Sequence, residues 1–243
     1  MCFDSDSLPP VPVISGAAVA HDDLVLTASD GNTFAAFAAV PEEPATIGVA
    51  ILPDVRGLYR FYEELALRFA ERGYAAIAFD YFGRTAGVGK RENDWDYRPH
   101  VDQTAPQTIQ LDLAACLDRL RALGCTSLFT VGFCFGGRHS WVAAASGHGL
   151  AGAIGFYGRS APILEDVPAI EAPILALQGG ADAAISHEEN LEFERVLRKS
   201  GKDYELIEFE GAPHSFFDRK QEEFAEASDD AWRRVIDFIE RHA

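Results

Sequence analysis

Ser127-Leu128-Phe129-Thr130-Val131-Gly132-Phe133-Cys134-Phe135-Gly136-Gly137 is the stretch on which the fold of this chain turns. An apolar run from Ser127 to Val131 enters a Gly-x-Cys-x-Gly-Gly turn, and an Ala-rich segment from Arg138 to Ser146 leaves it. The pattern predicts a strand, a tight turn and a helix with a thiol at the apex, the cysteine counterpart of a G-x-S-x-G nucleophile elbow. The glycines answer a steric need, because so sharp a turn crowds the backbone and leaves little room for a nearby Cβ. A helix starting beneath Cys134 aims free N–H groups and a positive dipole end at the sulfur, which favours thiolate. The competing reading is a buried structural cysteine in a Gly-rich loop, and the rest of the chain weighs against it.

A carboxylate and a histidine follow, each after a strand-like run. Ala172-Pro173-Ile174-Leu175-Ala176-Leu177-Gln178 reads as a short apolar strand and leads into Gly179-Gly180-Ala181-Asp182. Tyr204-Glu205-Leu206-Ile207-Glu208-Phe209 has strand alternation and leads into Glu210-Gly211-Ala212-Pro213-His214-Ser215-Phe216. The order Cys134, Asp182, His214 is the nucleophile, acid, histidine order of α/β-hydrolases. A free thiol with a pKa of about 8.5 is only partly ionised at neutral pH and needs a base beside it. His214 takes that proton in this reading, and Asp182 fixes the imidazole tautomer and stabilises imidazolium. The oxyanion hole draws on the backbone N–H of Phe135 and a second N–H from the loop after an earlier strand. Taken singly, a histidine such as His214 is more often structural or surface than catalytic, and an Asp after Gly-Gly such as Asp182 is usually a turn residue.

From roughly Val19 to the C-terminus the chain resembles the dienelactone hydrolase family, the carboxymethylenebutenolidase-like α/β-hydrolases. The resemblance lies in Gly132 to Gly137, in Gly180-Ala181-Asp182 and in Gly211 to Phe216. A fourth piece is Glu71-Arg72-Gly73-Tyr74-Ala75-Ala76-Ile77-Ala78-Phe79-Asp80-Tyr81-Phe82-Gly83-Arg84. It implies hydrolysis of a lactone or ester through a thioester acyl-enzyme, with no metal and no cofactor. Family members that open dienelactone carry a Glu after the third strand, bonded to the resting thiol. In Ile51-Leu52-Pro53-Asp54-Val55-Arg56-Gly57 that place falls on Asp54, one methylene shorter, which makes Asp54 the implied thiol partner. The same match makes the Val55 N–H the second oxyanion donor. Of the two arginines that hold a substrate carboxylate in the family, Arg84 matches one. The other falls on Asp218 with Arg219 one residue later, so Arg84 and Arg219 are the implied substrate-binding residues.

Length and patterning agree with this. A chain of 243 residues buries enough surface for a core without disulfides or metal, and its 48% apolar content is ordinary. Leu24 to Thr27 and Phe34 to Ala39 flank Asp30-Gly31-Asn32 and predict an antiparallel pair. Further strands are read at Ile47 to Leu52, Ala75 to Phe79, Ser127 to Gly132, Ala151 to Phe156, Ile174 to Gln178 and Asp203 to Phe209. Helical patterns lie between them, around Phe61 to Arg72, Ala105 to Leu123, Glu188 to Lys199 and Gln221 to His242. Such alternation predicts an α/β-hydrolase fold: a mostly parallel central sheet with helices on both faces. Residues 1–20 read as an N-terminal arm and 21–243 as one domain. The segment from Tyr81 to Gln103 breaks the alternation and reads either as a lid or as a solvated excursion anchored by Trp95 and Tyr97.

Charge and cysteines narrow the functional classes. With 38 acidic and 21 basic residues, a net charge of −17 repels nucleic acid and anionic membrane. Cys2, Cys116, Cys125 and Cys134 form no disulfide ladder or CxxC pair, and none pairs with a histidine at zinc-ligand spacing. The N-terminus lacks the pattern of a signal peptide and no run has the length of a membrane span, so a cytoplasmic location is expected. The expected partner is a small-molecule ester or lactone, and the expected assembly a monomer or weak homodimer. Two other readings stay open: a carboxylesterase or thioesterase of broader scope, and a non-hydrolytic thiol-switch protein that uses Cys134 as an oxidisable group.

Overall fold

The computed structural model describes residues 3–4, 6–17, 19–91 and 95–243. The first two strands, β1 (Val19–Thr27) and β2 (Thr33–Pro41), pair antiparallel from Val19 opposite Pro41 to Thr27 opposite Thr33. β1 is an edge strand, and its His21, Asp22 and Asp23 are exposed, polar groups that discourage pairing with a further strand. The chain then runs through β3 (Ile47–Leu52), α1 (Arg60–Ala70), β4 (Ala75–Phe79), α2 (Gly83–Ala86), α3 (Arg98–Val101) and α4 (Pro106–Ala122). It continues through β5 (Ser127–Phe133), α5 (Phe135–Ala144), β6 (Gly152–Phe156), β7 (Ile174–Gly179), α6 (His187–Lys199), β8 (Tyr204–Phe209) and α7 (Ala225–His242).

The eight strands form one sheet in the order β1-β2-β4-β3-β5-β6-β7-β8, parallel from β4 onward. Side-chain alternation along β3 shows why both faces are covered. Val49 and Ile51 pack with α1 and α7, while Ala50 and Leu52 pack with α4 on the other side, and all four are fully buried. The α4 stripe read from the sequence, Ile109, Leu113, Cys116, Leu117 and Leu120, is core. Cys116 and Cys125 are buried there, and burial pushes both thiols up, away from reactivity.

The predicted strands and helices recur with ends shifted by a residue or two, with two exceptions: the first strand begins at Val19, five residues before the predicted Leu24 and within the expected 1–20 arm, and the last helix begins at Ala225 after a short 3-10 turn at Glu222–Phe224. The Tyr81 to Gln103 segment carries two one-turn helices, α2 and α3, where the sequence suggested none. Its Arg91 is buried against Asp80, with the guanidinium 4.7 Å above the Trp95 ring. Glu92, Asn93 and Asp94 of its charged stretch, like Cys2, lie outside the described residues. Ahead of β1, Phe3 stacks on Phe61 at 4.0 Å and the Ser7 hydroxyl donates to Asp218 at 2.6 Å. Among the described residues no helix is long and apolar enough to cross a membrane.

Candidate active site

The β5–α5 turn is as sharp as the sequence demands. Cys134 stands between the last strand residue and the first helical one at φ 54°, ψ −110°, a conformation that L residues rarely adopt. A Cβ on Gly132 would lie 2.0 Å from the Gly136 carbonyl oxygen, and one on Gly136 would lie 2.1 Å from that of Leu52. Both contacts are with backbone that cannot give way, so glycine is obligatory at these two positions. Cys134 is the N-cap residue of α5, so by helix geometry the first N–H groups, Phe135 among them, lack an intrahelical acceptor at the end of the helix that carries the thiol.

Among the described residues three non-glycines have positive φ: Cys134, Tyr157 at φ 37° and Ser215 at φ 62°. Tyr157 follows β6, Ser215 follows His214, and the Tyr157 and His214 rings lie 5.0 Å apart. Backbone strain is thus concentrated where the parallel strands end, the side of the sheet at which open α/β folds bind ligands. His214 Nδ1 and Asp182 Oδ2 are 2.6 Å apart, and the Asp182 side chain is 1% exposed. The other Asp182 oxygen accepts the backbone N–H groups of Ala184 (2.7 Å) and Ile185 (3.2 Å), which fixes the carboxylate from behind.

A cavity of about 270 Å³ brings these pieces together: Cys134, His214, Phe135, Val55 and Tyr157 all line it. Tyr97 of the segment after β4 and Ala184 of the Asp182 turn complete the rim, along with two residues the sequence analysis did not single out, Arg138 and Arg159. Arg138 lies four residues after Cys134, hence on the same face of α5 one turn away. Its guanidinium sits 5.1 Å over the Phe135 ring and 3.0 Å from His139 Nε2. Burial, with the Arg138 charge beside it, pushes His139 down to about 3, so the imidazole is neutral. Burial holds Arg138 below the usual arginine range, with Arg159 adding to the effect and the Cys134 sulfur opposing it. Arg159 follows Tyr157 by two residues and faces Glu189 at 3.6 Å. Spacing of four from Cys134 was the available signal for Arg138. For Arg159 it was a place just past a strand's carboxyl end.

A sequence profile of the dienelactone hydrolase family matches residues 34–243. The chain belongs to that family. It is 26% identical to a carboxymethylenebutenolidase of Rhodococcus opacus, over 100% of this chain and 97% of that protein. It aligns at a TM-score of 0.81 with a dienelactone hydrolase-like promiscuous phosphotriesterase from metagenomic libraries, 21% identical, covering 93% of this chain and 99% of that one. A Pyrococcus furiosus esterase aligns at a TM-score of 0.71, 16% identical, over 96% of this chain and 99% of that one. The two structures share the α/β-hydrolase fold. As a member of the dienelactone hydrolase family, the protein is a hydrolase acting on ester bonds.

The structure does not bring the two family-implied substrate arginines to the cavity. Arg84 in α2 is held by Asp30 of the β1–β2 turn and by Asp112 of α4 at 2.8 Å. Asp112 is 1% exposed and takes the guanidinium as its counter-charge; even so, burial raises Asp112 to about 6, against the pull of Asn32 and Arg84. Arg219 faces the N-terminal segment: its backbone N–H donates to Leu8 O, and its guanidinium to Pro9 O at 3.2 Å. Asp54 is fully buried beside the cavity, but no hydrogen bond joins it to Cys134. Among the described residues no group of three or more His, Cys, Asp and Glu is arranged to hold a metal ion.

Proposed function

We propose that the protein hydrolyses an ester or lactone by nucleophilic attack of Cys134, with His214 as proton carrier and Asp182 as its orienting acid. The observation that carries this is a cysteine at a strained elbow sharing a cavity with a histidine bonded at 2.6 Å to a buried carboxylate. His214 takes the thiol proton and the sulfur adds to the acyl carbon. The N–H groups of Phe135 and Val55 receive the developing oxyanion. Collapse breaks the carbon–oxygen bond, and His214 returns the proton to the leaving oxygen, which in a lactone stays on the same molecule. Water then adds to the thioester with His214 as base, the carbon–sulfur bond breaks, and the carboxylic acid leaves with the thiol restored.

Arg138 and Arg159 favour a substrate that carries an anionic group close to the scissile carbonyl, of the kind a dienelactone carboxylate provides. They hold positive charge at the cavity of a chain whose net charge is −17, and a guanidinium in a partly desolvated site pairs well with a carboxylate. The test is turnover of dienelactone beside a neutral aryl acetate, in wild type, Cys134→Ala and His214→Ala. Cysteine-dependent turnover with dienelactone preferred supports the whole reading. Cysteine-dependent turnover of the aryl acetate alone keeps the triad and discards the anionic substrate in favour of a broader esterase. Equal turnover in all three proteins overturns the triad, and no turnover in any of them gives the thiol-switch reading the advantage.

A further inference from the structure

The loop after β3 contains a buried carboxylate whose capacity is already spent. Each carboxylate oxygen has two lone-pair sites. Asp54 Oδ1 accepts the Arg56 backbone N–H at 2.8 Å and Arg56 Nε at 3.2 Å. Oδ2 accepts Arg56 Nη2 at 2.9 Å and the Tyr59 hydroxyl at 2.7 Å. Arg56 also donates to the Tyr59 hydroxyl oxygen and lies 4.4 Å above that ring. All four acceptor sites are filled, and none remains for the Cys134 thiol.

Together with the bond from the Arg56 N–H to Asp54 Oδ1, further bonds hold the backbone on either side of Val55. The Asp54 N–H donates to the Tyr62 hydroxyl at 2.8 Å, the Asp54 carbonyl accepts the Gly57 N–H at 3.1 Å, and Tyr81 donates to the Pro53 carbonyl at 2.7 Å. Farther along the loop, the Leu58 N–H donates to Asp80 Oδ1 at 3.2 Å. Val55 thus sits between peptide groups fixed before and after it, with its own residue at the cavity.

We infer that Asp54, Arg56 and Tyr59 form a clamp that positions the Val55 N–H for the oxyanion, and that Asp54 is a positioning residue and not the partner of the thiol. This rests on the proposed Cys134 mechanism, in which Val55 supplies an oxyanion donor. Burial, with the Asp54 charge adding to it, pushes the Tyr59 hydroxyl well above the usual tyrosine range and keeps it a donor.

The experiment compares Asp54→Asn, Arg56→Lys and Tyr59→Phe with wild type in two readouts. One is kcat and KM on a neutral aryl acetate. The other is the pH dependence of Cys134 alkylation by iodoacetamide, located by peptide mass. An oxyanion donor acts mainly in the transition state, so a displaced one lowers kcat and spares KM. Asp54→Asn and Arg56→Lys are expected to lower kcat roughly 10- to 100-fold. Tyr59→Phe, which removes one bond and leaves the ion pair, costs less. In all three the alkylation midpoint stays at the wild-type pH. A shifted midpoint in Asp54→Asn would make Asp54 a thiol partner and overturn the clamp, as would unchanged kcat in all three variants. Failure of the underlying mechanism has a separate signature, turnover retained by Cys134→Ala.

Discussion

At the Cys134 cavity, Arg138 rises one helical turn from the thiol; among the described residues no carboxylate pairs with it. At the outer part of the sheet, Arg84 lies between Asp30 and Asp112 with its charge fully answered. The two guanidinium groups differ less in exposure than in company. A cation matched by carboxylates holds structure together, and its further pull on an anion is small. A cation facing a cavity without one keeps its field for whatever enters. Arg219 and Arg159 fall between these extremes: Arg219 is turned to the backbone carbonyls of Pro9 and Val11, away from the cavity, and Arg159 lines the cavity while facing Glu189 at 3.6 Å.

The widest separation between the regions comes from removing the proposed reacting groups. Cys134→Ala and His214→Ala are each expected to lower kcat by about 10⁴-fold or more and leave the melting temperature near that of wild type. Arg84→Gln should do the reverse. It is expected to keep kcat and cost about 1–3 kcal/mol of stability, because Asp112 is left buried without its counter-charge; urea denaturation beside steady-state kinetics reads both. A variant that loses both quantities together would erase the distinction.

Gly136→Ala tests whether the elbow belongs to both regions at once. The new Cβ would sit 2.1 Å from the Leu52 oxygen and 2.3 Å from that of Pro53, at the start of the proposed oxyanion loop. Displacing that loop by about 1 Å is expected to cost roughly 100-fold in kcat, with about 1–3 kcal/mol of stability lost to the overpacking. A fully active Gly136→Ala enzyme would show that the loop's position does not matter to turnover.

Selectivity sharpens the comparison further. Arg138→Gln is expected to lower the preference for dienelactone over a neutral aryl acetate about 10- to 100-fold, the range of a charge-assisted hydrogen bond. Arg159→Gln should do less, since its side chain is 60% exposed and near Glu189. Arg84→Gln and Arg219→Gln should leave the ratio unchanged. If Arg84→Gln alone alters it, the assignment of the two regions is reversed.

The smallest effect is a pH window. Asp112 is raised by burial from an ordinary value of 3.8 to about 6 in the folded protein. The native state therefore keeps a proton that the unfolded chain releases, so this group's stabilising contribution is full below pH 3.8 and declines up to about pH 6. Asp112→Asn is expected to lack that slope, while Arg84→Gln should extend it to higher pH by removing the nearby positive charge. Denaturation midpoints between pH 4 and 8 read both changes, and an identical slope in wild type and Asp112→Asn would remove Asp112 from the account.

The strands and helices were legible because their signals are local and periodic. Phe34 to Ala39 and Ile47 to Leu52 are apolar runs of strand length, and Ile109 through Leu120 recur at helical spacing. The two turns of helix inside Tyr81 to Gln103 were not legible, since α2 and α3 are four residues each, too short for a period to appear. Cys134, Asp182 and His214 stood out because each follows a strand-like run and their order is specific. Arg138 was in plain view four residues after Cys134, but an arginine on a helix is more often a solvated one, and only the cavity distinguishes the two.

What the sequence determined by itself is whatever depends on residue type and spacing along the chain. That includes the glycines a sharp elbow requires, the alternation that buries both faces of a parallel sheet, and the order of thiol, acid and imidazole. Tertiary structure decided what depends on who meets whom across the chain. It gave Arg84 to Asp112, 28 residues away, and Arg219 to the backbone of the N-terminal segment, about 210 residues away. It also turned Asp54 toward Arg56 and Tyr59. A side chain's charge is written in the sequence, but the field it leaves for a ligand is set by the partners packed against it, and those are chosen only when the chain folds.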